Sequence, residues 1–205
     1  LETERQAYWT LYSHGTLGAT AARILNHEID MQLDEFAHGK TAPPSTRIPS
    51  TLMRSSPLYR LLNIKSAVGF SRMSLLYDLS RAEIAGADAV LEEMDKLPDV
   101  EKQARSEIAS TYRAYQRTGK ERLEDLRSNL PEIAGAVETR LAHRIQLNFE
   151  REGYEELSHR GVLDASTSTL ALANVNERMK KLLHGTTSIA LPAIGELCRS
   201  TPLFV

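Results

Sequence analysis

One pattern occurs twice in this chain: as YWTLYSHGTLGATAARILNHEIDMQLDEFAHG at residues 8–39 and as YEELSHRGVLDASTSTLALANVNERMKKLLHG at residues 154–185. Aligned without a gap, the two stretches share Tyr8/Tyr154, Leu11/Leu157, Gly15/Gly161, Leu17/Leu163, Ala19/Ala165, His38/His184 and Gly39/Gly185. Each stretch predicts a helix, a turn centred on glycine and a second amphipathic helix closed by His-Gly. The repeat therefore predicts a scaffold of helical hairpins.

The rest of the chain is also dominated by helical periodicity. Apolar residues recur at four-residue steps along Val137, Leu141, Ile145 and Phe149. Pro98 is expected to break one helix, and Pro131 sits where the first turn of another tolerates proline. Strand patterns are nearly absent, so we predict an all-α helical bundle of antiparallel helices with two related helix-turn-helix hairpins.

The predicted organisation has five parts. Residues 1–39 form the first helical hairpin, and a linker holding Pro43, Pro44, Pro49 and Pro57 follows at 40–57. The remaining parts are a basic amphipathic helix with long helices at 58–130, a helix plus the second hairpin at 131–185, and a connector at 186–205.

Composition excludes several classes of protein. Of the 205 residues, 41% are hydrophobic and 25% charged, which is ordinary for a globular protein. A net charge of −2 gives no general case for nucleic-acid binding. Cys198 is the only cysteine, so no disulfide can form within the chain. The apolar runs fall short of the roughly 18 residues of a membrane span. The charged start LETERQAYW is not a signal peptide, and we expect both ends to be cuts from a longer protein.

Two Glu-x-x-His spacings are the sharpest sign of catalysis: Glu35/His38 and Glu156/His159. Di-iron bundles use such pairs, because the spacing places both ligands on one helix face. Here each pair lies just before a glycine at a helix end, where histidine also favours the helix dipole and free carbonyl groups. No phosphate-binding loop, dinucleotide fingerprint or nucleophile elbow is present. Nucleophilic catalysis is therefore poorly supported, and a di-metal enzyme is kept as the alternative.

A basic stretch with interleaved apolar residues suggests contact with an anionic membrane surface. Between Lys40 and Arg81 only Asp78 is acidic. The opposing interpretation is a solvated helix face, balanced by the acidic residues that follow from Glu83 onwards. The candidate lipid contacts are Arg47, Arg54, Arg60, Lys65 and Arg72.

A second candidate interface is a seam at alternating three- and four-residue steps, formed by Ile84, Ala87, Leu91 and Met94. The sequence leaves two interpretations open. The seam is either core of the bundle or an interface in a homodimer.

Several segments in a fixed order resemble one family. They are QAYWTLYSHGTLGATAARILNHEIDMQLDE, SPLYRLL, RLEDLRSNLPEIAGAVETRLAHRIQLNF, GVLDASTSTLALANVNERMKKLL and the final CRSTPLF. Together they resemble the cytoplasmic helical region of plasma-membrane Na+/H+ antiporters of the salt-overly-sensitive type, plant and bacterial. In that family the region follows a transmembrane antiporter domain and precedes a cyclic-nucleotide-binding-like domain.

The resemblance implies a regulatory and dimerisation region of a sodium (monovalent cation)/proton antiporter. Its partners would be the chain's own transmembrane domain, the downstream cyclic-nucleotide-binding-like domain and a second copy, on the cytoplasmic side of the plasma membrane. The family's ion-translocating acidic residues lie in transmembrane helices, so no position here inherits them. The resemblance therefore implies no enzyme activity and no cofactor in this segment. The alternatives are a free-standing di-metal enzyme and a helical sensor or adaptor with a small-molecule pocket.

Overall fold

A computed structural model describes residues 1–39, 48, 67–96 and 102–184. All regular secondary structure in these residues is helical, which confirms the all-α bundle. The helices are α1 (Glu2–Ser13), α2 (Ala19–Ala37), α3 (Ala67–Lys96), α4 (Lys102–Asn129), α5 (Pro131–His159) and α6 (Ala165–His184).

The turns α1–α2 and α5–α6 have the same backbone geometry. Gly15 and Gly161 both adopt φ +70°, a left-handed conformation that glycine reaches without steric cost. Gly15 N donates to Tyr12 O at 3.0 Å, and Gly161 N donates to Ser158 O at the same distance. Helices α1 and α5 also end at matching positions, Ser13 and His159, as the sequence repeat requires.

Helices α3 and α4 form the centre of the bundle. They run antiparallel, since Gln116 contacts Asp88 while the later Arg122 contacts the earlier Glu83. Gly119 allows close approach, because a Cβ atom there would lie 2.8 Å from Ile84 Cγ1. Tyr112 and Tyr115 of α4 complete the core cluster between the two helices.

This arrangement places the residues of the predicted dimer seam within the bundle of one chain. Ala87 and Met94 are buried against α4 within one chain, Leu91 packs against the same cluster, and Ile84 contacts a neighbouring one. The seam is bundle core because α4 covers it.

The first hairpin packs on α3 through its own apolar cluster. Tyr8, Leu25 and Ile29 are fully buried, together with Leu79 and Ala82 of α3. Gly86 makes room for the Tyr8 ring, since a Cβ atom there would lie 2.8 Å from the ring edge. The first hairpin is thus packed firmly on the central helices. We use the word body for α1 to α4 together with the first half of α5.

Helix α5 belongs to two environments. Its first half places Ile133, Ala134 and Val137 in a core cluster with α3 and α4. Pro131 occupies the start of the helix, as predicted. Phe149, the last member of the predicted stripe, is exposed, although the adjacent Asn148 is buried against the first turn. Beyond this point α5 packs mainly with α6.

Some sequence predictions lie outside the described residues. These include the linker 40–57 apart from Ile48, the connector 186–205, and the candidate lipid contacts Arg47, Arg54, Arg60 and Lys65. Arg72, the remaining one, is half-buried in α3. Among the described helices, none combines the length and apolarity that a transbilayer segment requires.

Candidate functional site

A buried polar cluster joins the turn of the first hairpin to two other helices. It consists of Asp78 from α3, Arg144 and Asn148 from α5, and the backbone of residues 13–18. We call it the turn cluster. These positions are far apart in sequence and meet only because α3 and α5 pass on either side of the turn.

Arg144 makes most of the contacts in the turn cluster. Its Nη1 donates to Asp78 Oδ2 at 2.8 Å and its Nη2 donates to Oδ1 at 3.1 Å, a bidentate pair. Its Nε also donates to Gly15 O at 2.7 Å, and Nη2 donates to Thr16 O at 3.0 Å. The side chains of Arg144 and Asp78 are only 12% and 7% exposed. The planar guanidinium thus binds one carboxylate and two turn carbonyls together.

Asp78 also acts at the start of α2. Its Oδ2 accepts a hydrogen bond from Gly18 N at 3.0 Å. Gly18 precedes the first helical residue and has no side chain to cap the helix, so a carboxylate from α3 lies at its positive end instead. A Cβ atom at Gly18 would come within 2.8 Å of Asp78 Oδ2 and 3.0 Å of Arg144 Nη1. Glycine is therefore needed here for space.

Asn148 binds the other side of the same turn. Its Nδ2 donates to Ser13 O at 2.6 Å, which satisfies a carbonyl at the C-terminal end of α1. The Asn148 side chain also fills the space beside Gly15, where a Cβ atom would lie 2.8 Å from Asn148 Cβ. The end of α1 and the start of α2 are therefore both bound by side chains from elsewhere in the bundle.

A second buried network connects α1 to α4. The carboxylate of Glu4, in a residue only 1% exposed, accepts hydrogen bonds from Tyr8 OH at 2.6 Å and Tyr112 OH at 2.9 Å. Glu83 of α3, equally buried, pairs with Arg122 of α4. Buried carboxylates are tolerated when they are paired and hydrogen-bonded in this way. The contacts of Glu4 and Glu83 together fix the relative positions of α1, α3 and α4.

A third polar group lies between α3, α4 and α5 near the start of α5. Tyr77 OH donates to Glu138 Oε1 at 2.8 Å, and Arg127 donates to the same oxygen from Nε and Nη2. The hydrogen bond from Tyr77 lowers the pKa of Glu138, with a further contribution from Arg127. Burial raises the pKa of Tyr77, and the bond to Glu138 adds to this effect.

An open groove of about 450 Å³ lies on the outer side of the first hairpin. Trp9 and Tyr12 form one wall with their rings edge to face, 5.8 Å apart. Arg23 and His27 of α2 supply polar and cationic groups on the other wall. Both aromatic rings are about half exposed, with Trp9 at 51% and Tyr12 at 41%.

The residues of the predicted di-metal alternative are not brought together. In the described part of the chain, no three or more His, Cys, Asp or Glu side chains form a group that could hold a metal ion. His38 contacts Asp34 O through Nδ1, and Glu156 pairs with Arg160 on its own helix. The positions of both pairs at helix ends fit the capping interpretation.

The turn cluster was missed by sequence reasoning, although one signal was present. Asp78 is the single acidic residue between Lys40 and Arg81, and it lies in an otherwise apolar stretch of helix. A lone carboxylate in such a place suggests a buried partner. Nothing in the sequence identifies Arg144, 66 positions away, as that partner.

No protein-family model matches the chain.

Proposed function

We propose that this chain is the helical regulatory region of a monovalent cation/proton antiporter. It would couple the membrane domain to a downstream cyclic-nucleotide-binding-like domain and support a homodimer. In this proposal the chain does no chemistry itself. It carries a change of position from one end to the other, and the turn cluster is the joint that carries it.

One observation supports the proposal best. Two of the segments that carry the family resemblance, residues 6–35 and 122–149, contact each other directly at the turn cluster. Arg144 and Asn148 come from the later segment, and they bind the turn of the earlier one. Segments that occur together in one order in a family are thus joined here by buried polar contacts.

The physical argument concerns rigidity. Charged pairs that are desolvated and fully hydrogen-bonded have narrow geometric requirements, so the elements they join move together. Because the first hairpin is packed on α3, a movement of the two together would pass through Asp78 and Arg144 to α5, and from α5 to α6. If these helices take two positions, a ligand or modification at either end would favour one of them.

The test is sodium-dependent proton transport by the parent protein in inside-out vesicles. Arg144→Lys keeps the charge but cannot form the bidentate pair and both carbonyl contacts together. We expect it to shift the pH or sodium dependence of transport while the protein still reaches the membrane. The matched control is Arg160→Lys, because Arg160 forms only an exposed pair with Glu156.

Two results would contradict the proposal. One is a parent reading frame without transmembrane segments upstream of this region. The other is transport that responds equally to Arg144→Lys and Arg160→Lys. In the first case the chain is not part of an antiporter. In the second, it belongs to one but the turn cluster does not couple to transport.

Membrane contact by the basic stretch is a separate part of the proposal. Replacing Arg54, Arg60 and Arg72 by glutamine should weaken binding to vesicles that contain phosphatidylserine. Added salt should likewise weaken the vesicle binding of the unmodified protein. If the variant and the unmodified protein bind the vesicles equally, the membrane surface is not a partner of the basic stretch.

The groove beside Trp9 favours a second candidate function, ligand sensing. The lining combines two aromatic rings with Arg23 and His27, and its one carboxylate, Asp30, is already bound by Arg5, so the groove suits a planar carboxylate. Trp9 is the only tryptophan of the chain, so its fluorescence reports directly on the groove. Benzoate serves as the probe, and Arg23→Gln should abolish any saturable change that it causes. A linear response in both proteins would count against this function.

A further inference from the structure

The end of α5 and α6 form an arm, defined here as residues 149–182. Within the described residues, the main contacts of α6 are with α5. The three most exposed large apolar side chains of the described residues all lie in the arm, at 62%, 63% and 73%: Phe149, Val162 and Leu170. Exposed apolar residues need no explanation singly, so the case for an interaction surface rests on the internal repeat and on the charges of the arm.

The internal repeat shows which surface of the arm lacks a partner. Tyr154 corresponds to Tyr8, which is fully buried under α3, yet Tyr154 is only half-buried. Leu170 corresponds to Ile24, which packs against the cluster that α3 completes. Val162 corresponds to Thr16, whose carbonyl binds Arg144. In the first hairpin other helices cover these positions, whereas in the arm the equivalent positions carry apolar side chains and stay open.

The charges of the arm are complementary to themselves. In α5, residues 149–160 carry four glutamates against two arginines. In α6, residues 165–182 carry three basic residues, Arg178, Lys180 and Lys181, against Glu177 alone. One helix of the arm therefore carries an acidic surplus and the other a basic one. Within one arm Arg178 pairs with Glu150, whereas Lys180 and Lys181 lie exposed further along α6. Two arms related by a two-fold axis can place each acidic helix against the basic helix of the other.

We propose that the arm is the dimerisation surface, and that its occupant is the arm of a second copy of this chain. Two hairpins then form a four-helix bundle, with α5 of each copy against α6 of the other and the open apolar positions inside. This inference rests on the dimerisation part of the proposed function and names the surface that performs it.

The first experiment measures mass by light scattering and sedimentation over a range of concentrations of the full chain. Leu170→Glu and Val162→Glu should each raise the dimer dissociation constant roughly tenfold or more, because a carboxylate would be buried without a partner. The matched controls are Met31→Glu in α2 and Ile108→Glu in α4, at exposed apolar positions outside the arm. Unchanged circular dichroism shows that each variant folds.

Charge reversal gives a sharper test. One variant carries Glu155→Lys with Glu156→Lys, and the other carries Lys180→Glu with Lys181→Glu. Each alone should dimerise more weakly, since like charges would face each other. An equimolar mixture should form heterodimers about as tight as the unmodified dimer, because both interhelical contacts become attractive again.

The outcomes separate this inference from the proposed function. A dimer that survives the arm changes but is lost with Met31→Glu places the interface elsewhere. That result overturns the arm proposal and leaves dimerisation intact. A chain that is monomeric at all concentrations overturns both, while the coupling role is still decided by the transport assay of Arg144→Lys. Failure of the mixture to recover dimerisation also overturns the proposed pairing.

Discussion

At the scale of single residues, Arg144 is the side chain on which the turn cluster depends. Arg144→Met should destabilise the protein by about 3 kcal/mol or more, because it leaves the buried carboxylate of Asp78 without its cation. Denaturant unfolding measures the change. Arg160→Ala, which removes an exposed ion pair, should cost less than about 1 kcal/mol.

A double substitution checks the cause of this loss. Asp78→Leu combined with Arg144→Met removes both charges, and it should recover part of the stability lost by Arg144→Met alone. If the two losses simply add, the ion pair is not the source of the effect, and packing or the separate hydrogen bonds of each side chain to the turn are.

The two turn glycines offer a second comparison at this scale. Both have φ +70°, so alanine at either position costs roughly 1–2 kcal/mol of backbone strain. Gly161 has open space around it, whereas a Cβ atom at Gly15 would meet Asn148. Gly15→Ala should therefore lower the free energy of unfolding by about 1–3 kcal/mol more than Gly161→Ala does. Thermal or denaturant unfolding measures the difference. Equal losses would mean that Asn148 moves aside at little cost.

At the scale of elements, the contact of α3 and α4 with α5 should make stability depend on pH. The pKa of Glu138 is lower in the folded protein, so its contribution is present above the unfolded value of about 4.3 and is lost as pH falls. The pKa of Tyr77 is raised, so its contribution is present below about 10 and is lost as pH rises. Glu138→Gln should flatten the acid side of the stability profile.

The alkaline side has its own variant. Tyr77→Phe should flatten the fall in stability above about pH 10. The free energy of unfolding, measured at intervals of pH, provides the profile. An acid limb that persists in Glu138→Gln would assign the dependence to other carboxylates.

At the scale of the whole molecule, the arm and the body should differ in local stability. Helix α3 is covered by α1, α4 and α5, whereas α6 packs mainly on α5. Backbone amides of α6 should therefore exchange hydrogen faster than those in the middle of α3. Native-state exchange followed by mass spectrometry measures this. If the arms pair, protection in α6 should also rise with protein concentration, while protection in α3 should not.

The helices could be predicted from the sequence because their signals are local. The apolar spacing of 8–39 and 154–185, the glycines at 15 and 161, and the proline at 131 each act within one or two turns of helix. The seam from Ile84 to Met94 shows the limit of such signals. Its spacing indicates a covered helix face, but it cannot distinguish a helix of the same chain from a helix of a second copy.

The turn cluster lay beyond sequence reasoning for a related reason. Ion pairs between distant positions leave no periodic pattern, and the chain offers 25 basic residues as candidate partners for Asp78. The arm is the converse case. The repeat predicts two similar hairpins, yet no local signal shows that, among the described helices, a third helix covers the first hairpin and not the second.

The sequence by itself thus determined the helices, their ends and the repeated hairpin, since each of these depends on neighbours a few residues away. Only the tertiary structure decided that Arg144 binds Asp78 and the first turn, that α4 covers the seam, and that the arm extends from the body. These features depend on which helices lie side by side, and that is settled by burial and polar pairing across the whole chain.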